Sequence, residues 1–410
     1  MEKKKIIYII CFIVYLIVVF VTEIFYRKKL YDISVDYEEK IKQSGSLHNF
    51  YFFWSYIFIY LMLALGTIVV LILYPYNVFL SYVTIEVTLY FIMCLFKSVY
   101  TNSRPYWDIY SIRYNNTNYS SKPTECDGEF GNPSGHSLLS IASLCLWYLF
   151  VNSNLLKQNK CKLFLKYCSL LFVIICILSV MFSRIHRQIH SFNQVLFGGL
   201  LGLAVFFAFC YIIEFDKIEP NYFFSTINKI KFFIMPLLCI LFAVSVILGY
   251  TNHNKYEEEY RPALQYFCKF DKKPIFGKST AYHSGILFIL IGGYIGILFL
   301  IYKINKNYKN KERMFYNWNE EEKLKTLKIT LFSFILPAIP IIVVFIFPYK
   351  YLVIKFILEV LIYFWYGFGA FGLCFYYGCV IFNNKINNNN NDNNSDNNDN
   401  VDNFSIKIKL

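Results

Sequence analysis

The sequence is dominated by long apolar blocks that recur from one end to the other. The first, Ile6–Phe25, contains a single charged residue, Glu23. About 20 apolar residues in a row are what one bilayer-spanning helix requires, whereas soluble domains disperse their apolar residues. By this criterion the chain has ten predicted spans: Ile6–Phe25, Tyr51–Tyr74, Val78–Phe96, Ser137–Val151, Leu163–Phe182, Phe192–Phe215, Phe232–Tyr250, Gly285–Tyr302, Ile329–Phe347 and Tyr351–Phe382. We therefore predict an all-α, polytopic transmembrane bundle of about ten helices.

Basic residues lie mainly between the apolar blocks. The net charge is +13, but this distribution is typical of membrane orientation rather than of nucleic-acid binding. We expect membrane lipid as a partner and no nucleic acid. The N-terminal Met1–Lys5 resembles the start of a signal peptide, but the apolar run is too long and no small-residue cleavage site follows it, so we expect a retained helix.

The lysines and arginines also predict which side of the membrane each loop faces. With the N terminus in the cytoplasm, the basic stretch 303–328 falls inside. Glycosylation sequons that begin at Asn115 and Asn118 fall on the opposite side, which agrees with this orientation and predicts a glycoprotein. The loops predicted to face the lumen or the exterior are Arg27–Phe50, Ser98–Ser134, Ser183–Ser191 and Thr251–His283.

Three clusters of polar residues each fall at the outer end of a predicted helix. They are Lys97 with Arg104 in KSVYTNSRPYW; Ser134, Gly135 and His136 in Pro-Ser-Gly-His; and Arg184, His190 and Gln194 in SRIHRQIHSFNQ. Each has an ordinary explanation when taken alone. A helix-end lysine is often an interfacial anchor, Ser134 is a plausible N-cap, and a single interfacial histidine is usually structural. Together, in this order and spacing, they arise by chance on the order of once in a million such chains.

The residue types in the clusters suit the transfer of a phosphoryl group. Lys97, Arg104 and Arg184 can neutralise the charge that spreads over the phosphoryl oxygens. The Ser134 hydroxyl and the backbone N–H groups of Ser134–His136, at a helix N-terminus, can bind the same anion. Since these cations supply the positive charge, we expect no metal ion and no cofactor.

The two histidines can carry out the chemistry. His190 can attack phosphorus as a nucleophile, and Gln194, one helical turn later, can accept a hydrogen bond from its Nδ1–H. His136 can protonate the leaving oxygen and then activate water. With ordinary histidine pKa values near 6.5, a mildly acidic to neutral pH optimum is expected.

The clusters resemble those of the type 2 phosphatidic acid phosphatase and haloperoxidase superfamily, and in particular its glucose-6-phosphatase branch. The branch features are Arg-Pro-Tyr-Trp at Arg104–Trp107, a cysteine at Cys126, and Gln194-Val195 after the nucleophile. The resemblance covers about Tyr51 to Gly202. It implies Lys97, Arg104 and Arg184 as phosphate ligands, His136 as the acid and His190 as the nucleophile.

The chain also departs from that branch, which has about nine helices, so the helix at Ile6–Phe25 looks like an addition. The C-terminal dilysine signal of the branch is not matched by Lys407-Ile408-Lys409-Leu410. We expect residence in the endoplasmic reticulum or another endomembrane rather than the plasma membrane, with a lumenal or extracellular site. Cys126 and Cys268 could form a disulfide there, but sequence alone does not fix the pairing.

These patterns divide the chain into four parts. They are an N-terminal transmembrane helix with a lumenal loop (1–50), a phosphatase core (51–215), additional transmembrane helices (216–382) and an Asn-rich tail expected to be disordered (383–410). Glu86, inside the third span, is either a functional group or a packing contact.

The expected reaction is hydrolysis of a phosphate monoester through phosphohistidine. A sugar phosphate, chiefly glucose 6-phosphate, is the first substrate hypothesis because of the branch features. A lipid phosphate, such as phosphatidate or a sphingoid or prenyl phosphate, is the second. A non-catalytic transporter or scaffold on the same fold is the third, and the complete set of clusters argues against it.

Overall fold

A computed structural model describes residues 2–40, 46–73, 76–115, 126–154, 162–213, 220–252, 256–269, 276–307, 320–346 and 352–379. Every regular element within these ranges is a helix. The sequons, apart from Asn115 itself, and the Asn-rich tail lie outside the described residues.

The first half of the chain supplies eight helices among the described residues. These are α1 (Glu2–Lys40), α2 (Ser46–Phe52), α3 (Ile59–Leu73), α4 (Tyr76–Tyr100), α5 (Pro105–Asn115), α6 (Gly135–Asn154), α7 (Lys162–His186) and α8 (Phe192–Phe207). Short π-helical segments, Phe53–Phe58 and Ala208–Ile213, join α2 to α3 and extend α8.

The second half continues in the same way. Its helices are α9 (Pro220–Thr251), α10 (Glu257–Cys268), α11 (Phe276–His283), α12 (Leu287–Asn307), α13 (Glu320–Ala338), α14 (Ile341–Ile346) and α15 (Leu352–Phe368). A 3₁₀ turn, Ser284–Ile286, joins α11 to α12, and a π-helical segment, Gly369–Leu373, follows α15.

The predicted fold class, a helical membrane bundle, is confirmed. Within the described residues, eight helices are long and apolar enough to cross a membrane, and each overlaps a predicted span. The other two predictions, Ser137–Val151 and Ile329–Phe347, fall on shorter apolar helices, Gly135–Leu149 and Leu327–Ala338. The chain is therefore a multi-pass integral membrane protein.

The predicted outer loops contain more structure than hydropathy indicated. The prediction of a loop at Arg27–Phe50 is wrong for residues 27–40, because α1 continues to Lys40 without a break. At 1.5 Å per residue its 39 residues span about 58 Å, almost twice the hydrocarbon thickness of a bilayer. Helices α5, α10 and α11 likewise occupy parts of two other predicted loops. Hydropathy shows where an apolar stretch ends, not where a helix ends.

Helices α6 and α8 pack closely at the centre of the first half. A β-carbon at Gly198 would overlap the backbone of Ser134, and one at Gly202 would overlap the backbone of Leu138. Only glycine lets the two helices approach so closely. This packing brings the start of α6, which carries the second cluster, against the start of α8, which carries Gln194.

A small aromatic lobe lies at one end of the bundle. Trp107 of α5, Phe130, Tyr260 of α10 and Phe276 of α11 belong to one buried cluster. A disulfide between Cys126 and Cys268 joins the loop before Phe130 to the end of α10. The pairing that sequence left open is therefore formed in the structure.

The disulfide should stabilise the lobe. Cys126→Ser should lower the free energy of unfolding by about 2–4 kcal/mol, because the bridge restricts the unfolded chain. Cys11→Ser is the matched control, since Cys11 is a free, exposed cysteine of α1. The thermal unfolding midpoint of the detergent-solubilised protein checks this. A non-reducing peptide map without a Cys126–Cys268 peptide would contradict the pairing.

Candidate active site

The three sequence clusters meet at one end of the bundle, where α4 and α7 end and α6 and α8 begin. Arg104 Nη1 lies 3.3 Å from Nε2 of His190, which joins the first cluster to the third. The backbone joins the second to the third, since the N–H of Ser134 donates to the carbonyl of Gln194 at 3.0 Å. Residues far apart in the sequence therefore form one site.

His190 lies in a tight turn between α7 and α8 and is 2% exposed. Its Nδ1 is 2.9 Å from the carbonyl oxygen of Gly131 and 3.2 Å from Oε1 of Gln194. Both partners are acceptors, so Nδ1 carries the proton. Nε2 then holds the lone pair and accepts the hydrogen bond from Arg104.

The side-chain amide of Gln194 is oriented by its other partners. Its Nε2 donates to the carbonyl of Ser103 at 2.7 Å, which leaves Oε1 to accept from the N–H of Ser191 at 3.2 Å and from His190. Ser191 and Gln194 form the capping box that begins α8. A β-carbon at Gly131 would overlap this amide. The contact that starts α8 therefore also orients the ring of His190.

Arg104 is completely buried. Its partners are the carbonyl oxygens of Glu129 (2.6 Å), Ile189 (3.2 Å) and Phe130 (3.5 Å), Nε2 of His190 (3.3 Å) and the carboxylate of Asp127 (2.7 Å). A guanidinium has five N–H donors, and these contacts occupy all of them. A phosphate group that binds Arg104 must therefore replace one of these partners.

Two carboxylates that the sequence analysis did not predict lie in the site. Asp127 pairs with Arg104 at 2.7 Å. Glu129 pairs with the ammonium of Lys97 through Oε2, and its Oε1 lies 3.2 Å from Nε2 of His283. The only signal in the sequence was two acids in a short loop before Pro-Ser-Gly-His, and nothing there distinguished them from exposed loop residues.

The predicted anion-binding site at the second cluster differs from the expectation in one backbone N–H group. The N–H of Ser134 belongs to the contact with Gln194, so the predicted anion seat at Ser134–His136 does not include it. The packing of α8 against the start of α6 is the cause. The hydroxyl oxygen of Ser134 accepts from Ser137 at 3.1 Å, which leaves its own proton available for donation.

Arg184 lies in the last turn of α7 and is 1% exposed. Its Nη1 donates to the hydroxyl of Ser55 at 3.1 Å. Its carbonyl oxygen accepts from the N–H groups of Ile189 and His190 at 3.2 and 3.3 Å. Arg184 therefore contributes both a charge near His190 and part of the backbone support of its turn.

A cavity of about 470 Å³ adjoins the site. Lys97, Gly135, His136 and His190 line it, and the ring of His136 meets Tyr60 edge-on, with 6.2 Å between ring centroids. The rest of the polar lining is Asp127, Glu129, His283, Thr67 and Glu86, and the apolar and aromatic walls include Leu63, Val87, Tyr90, Met93, Leu139 and Ile286. Within the described ranges, no three His, Cys, Asp or Glu residues are grouped as a metal site would require.

The cavity follows one face of α4. Glu86, Tyr90, Met93 and Lys97 all line it, and their spacing of four, three and four residues places them in one stripe. At 1.5 Å per residue, Glu86 and Lys97 are about 16 Å apart along the helix. The hydroxyl of Ser143 donates to the carboxyl of Glu86 at 2.8 Å. The cavity therefore runs from the cationic end to the half-buried carboxyl of Glu86.

Burial and charge set the ionisation of the loop residues. Burial lowers the pKa of His190 well below its usual value, and the positive charges of Arg104, Arg184 and Lys97 lower it further. Burial alone would raise the pKa of Asp127, but Arg104 and Lys97 lower it to about 2. Lys97 and His283 likewise outweigh burial and lower the pKa of Glu129. His190 is therefore neutral at pH 7 and both carboxylates are ionised.

Comparison with known proteins supports the superfamily level of the resemblance. The family model described as the PAP2 superfamily matches residues 78–218, about a third of the chain. This segment runs from α4 to just past α8 and contains every site residue predicted from the sequence. No curated protein and no solved structure matches the chain, and no relative supports the glucose-6-phosphatase branch over others.

The pairing of Asp127 with Arg104 predicts that this carboxylate competes with bound anions. Asp127→Asn should tighten the binding of vanadate, a phosphate mimic, by about tenfold, equivalent to about 1.4 kcal/mol, because it removes the negative charge. The asparagine keeps an oxygen for the Glu129 N–H that Asp127 accepts at 3.0 Å. Titration of the purified protein measures the dissociation constant.

Asp36→Asn is the matched control, since it removes one charge from an exposed position on α1. Vanadate affinity that stays constant or weakens in Asp127→Asn would contradict competition by the carboxylate.

Proposed function

We propose that the protein is a membrane phosphatase that hydrolyses phosphate monoesters through a phosphohistidine at His190. The observation that carries this proposal is the hydrogen bonding of the imidazole. Nδ1–H faces two acceptors, so the Nε2 lone pair points to Arg104 beside the cavity. A lowered pKa keeps that nitrogen unprotonated. PAP2 superfamily membership of the matched segment supports a phosphatase-type reaction in general.

In the first step, Nε2 of His190 attacks phosphorus and the bond to the ester oxygen breaks. Lys97, Arg104 and Arg184 stabilise the charge on the phosphoryl oxygens, while His136, on the cavity wall, gives a proton to the leaving alkoxide. Burial and the charge of Arg184 lower the pKa of His136 in the free site, so the negative charge of the bound phosphate must first favour its protonation. The products are phosphohistidine and an alcohol. Phosphate binding must first draw Arg104 away from Nε2, because the two are hydrogen-bonded without substrate.

In the second step, His136 takes a proton from water and the resulting hydroxide attacks phosphorus. The N–P bond breaks, its electron pair returns to Nε2, and inorganic phosphate leaves. Gln194 and the carbonyl of Gly131 hold the proton on Nδ1 throughout, so the leaving nitrogen is always Nε2.

A sugar phosphate, chiefly glucose 6-phosphate, is the proposed substrate. Arg104–Trp107, Cys126 and Gln194 are the branch features that favour it. Polar groups near the phosphate end of the cavity also favour it, since Asp127, Glu129 and His283 can hydrogen-bond the hydroxyls of a sugar.

A lipid phosphate is the second candidate, and the walls of the cavity favour it. Leu63, Val87, Leu139 and Ile286 line the part that follows α4 inward. A single acyl or prenyl chain could lie against these side chains, with its phosphate at Lys97.

We also propose that the site faces an oxidising compartment, which is the lumen of the endoplasmic reticulum or of another endomembrane organelle. The disulfide at Cys126 and Cys268 lies beside the site, and disulfides persist in such compartments.

Removal of the nucleophile tests the proposal. His190→Ala should abolish hydrolysis. It should also abolish the acid-labile phosphoenzyme, which rapid quenching of the reaction with a ³²P-labelled monoester traps in the wild type. His186→Gln is the control, because His186 packs against the ring of Tyr51 and lies outside the site. Phosphatase activity that survives in His190→Ala would refute the mechanism.

The same purified protein distinguishes the substrates. Comparable assays with glucose 6-phosphate and with phosphatidate should show which phosphate ester gives the higher kcat/KM. Hydrolysis of the lipid alone would remove the sugar proposal, and hydrolysis of neither would support the transporter or scaffold hypothesis.

The pKa of His190 predicts the pH profile. Because this pKa is lowered, the neutral nucleophile persists as the pH falls through 6.5. The acid limb of kcat/KM should therefore follow the second ionisation of the substrate's phosphate, which is near 6 for alkyl esters. Profiles for one alkyl and one aryl phosphate check this, since their second ionisations differ. A shared limb at pH 6.5 would contradict the lowered pKa.

A further inference from the structure

The outer half of α1 carries a stripe of polar residues that faces the active-site loops. Glu23, Arg27, Tyr31, Ser34 and Glu38 follow one another at intervals of four, four, three and four residues, which places them on one face of the helix. Glu23, Ser34 and Glu38 are completely buried. The opposite faces of α1 expose apolar side chains such as Ile24 and Phe25.

Two hydrogen bonds from α1 hold the turn that carries His190, one on each side of this residue. The backbone N–H of Phe192 donates to the hydroxyl of Ser34 at 2.7 Å. The side-chain amide of Gln188 donates to the carbonyl oxygen of Glu38. Phe192 and Gln188 each lie two residues from His190, and Gln188 has a left-handed backbone with φ of 61°. The turn is therefore fixed from outside by α1.

A third contact is connected to the ring of His190 through Ser103 and Gln194. The hydroxyl of Tyr31 lies 2.8 Å from that of Ser103 and also donates to Asp108. The carbonyl of Ser103 accepts from Nε2 of Gln194 at 2.7 Å, and Gln194 Oε1 meets Nδ1 of His190 at 3.2 Å. Tyr31 thus helps to hold the residue that orients the imidazole.

A fourth contact supports the loop before Pro-Ser-Gly-His. The carboxylate of Glu23 pairs with Arg27 and accepts from Nδ2 of Asn132 at 3.2 Å. Asn132 also donates to the side chain of Asn102 at 3.2 Å, and the N–H of Gly131 donates to the carbonyl of Asn102 at 2.8 Å. The carbonyl of Gly131 is the first partner of His190 Nδ1.

We infer that α1 is a positioning element of the active site, and that Ser34, Tyr31 and Glu23 fix the loops that present and orient His190. This inference rests on the proposed function. Helix α1 lies outside residues 78–218, the segment that the family model matches. A helix that served only to anchor the chain would need an apolar surface for lipid, but not a polar stripe that contacts the loops of all three clusters.

The inference predicts a loss of phosphorylation rate without a loss of phosphate affinity. Ser34→Ala removes the acceptor of the Phe192 N–H, so the turn of His190 can relax and Nε2 loses its alignment with phosphorus. Misplacement by about 1 Å can cost about 100-fold in rate. Lys97, Arg104 and Arg184 are not touched by Ser34, so anion binding should change little.

Single-turnover kinetics provide the test. The rate constant for phosphoenzyme formation from a ³²P-labelled monoester should fall by about 10- to 100-fold in Ser34→Ala and in Tyr31→Phe, while the dissociation constant of vanadate changes by less than about twofold. This rate constant is first-order and does not depend on the fraction of folded protein. If these residues only stabilised the fold, the variants would lower the amount of phosphoenzyme formed and leave its rate constant unchanged.

Two control variants of α1 leave its hydrogen bonds to the site loops intact. Thr22→Ala removes a hydroxyl that bonds to the Val18 carbonyl of the same helix. Tyr37→Phe removes only the hydroxyl of an exposed side chain and keeps the ring that packs against Phe192. Both should leave the rate constant unchanged. If Ser34→Ala does not fold, Tyr31→Phe decides alone. Unchanged rate constants in the test variants, or a parallel loss of vanadate affinity, would overturn the inference. Absence of a phosphoenzyme in the wild type would instead refute the proposed function.

Discussion

Three cationic side chains are buried together at one end of the bundle, and the rest of the site is arranged around them. Lys97, Arg104 and Arg184 are each at most 3% exposed. Like charges buried in one place raise the free energy unless acceptors and opposite charges surround them. Asp127, Glu129 and a set of loop carbonyl oxygens provide these partners. A phosphate ester would meet cations that are already in position, but it would have to displace carboxylates that hold them.

The same cations determine the state of His190. They lie close enough to lower its pKa, and Arg104 donates to Nε2 directly. One arrangement of charge therefore has two effects in the proposed reaction, since it attracts the phosphoryl group and keeps Nε2 of the nucleophile unprotonated. Because the imidazole is buried and its proton is fixed by Gly131 and Gln194, the ring has little freedom to present the wrong nitrogen.

The loops that build the site depend on elements on either side of the segment that the family model matches. On one side, the aromatic lobe and the disulfide tie the loop of Asp127 and Glu129 to α10, and His283 of α11 contacts Glu129. On the other, α1 bonds to the turn of His190 and to Asn132. Short loops with several buried polar groups cannot satisfy all of them internally, and these outer elements supply the remaining partners.

The sequence by itself determined the membrane bundle and the residues that carry the proposed chemistry. Apolar block length is a local property, and so is the spacing of His190 and Gln194, which are four residues apart in the sequence. Only the tertiary structure decided the rest: that α1 continues to Lys40 and contacts the site, that Asp127 and Glu129 pair with the cations, that Cys126 joins Cys268, and that the N–H of Ser134 belongs to Gln194. These are pairings between residues that are distant in the sequence. Tertiary packing determines them, because hydropathy and motif spacing carry no information about which surfaces meet.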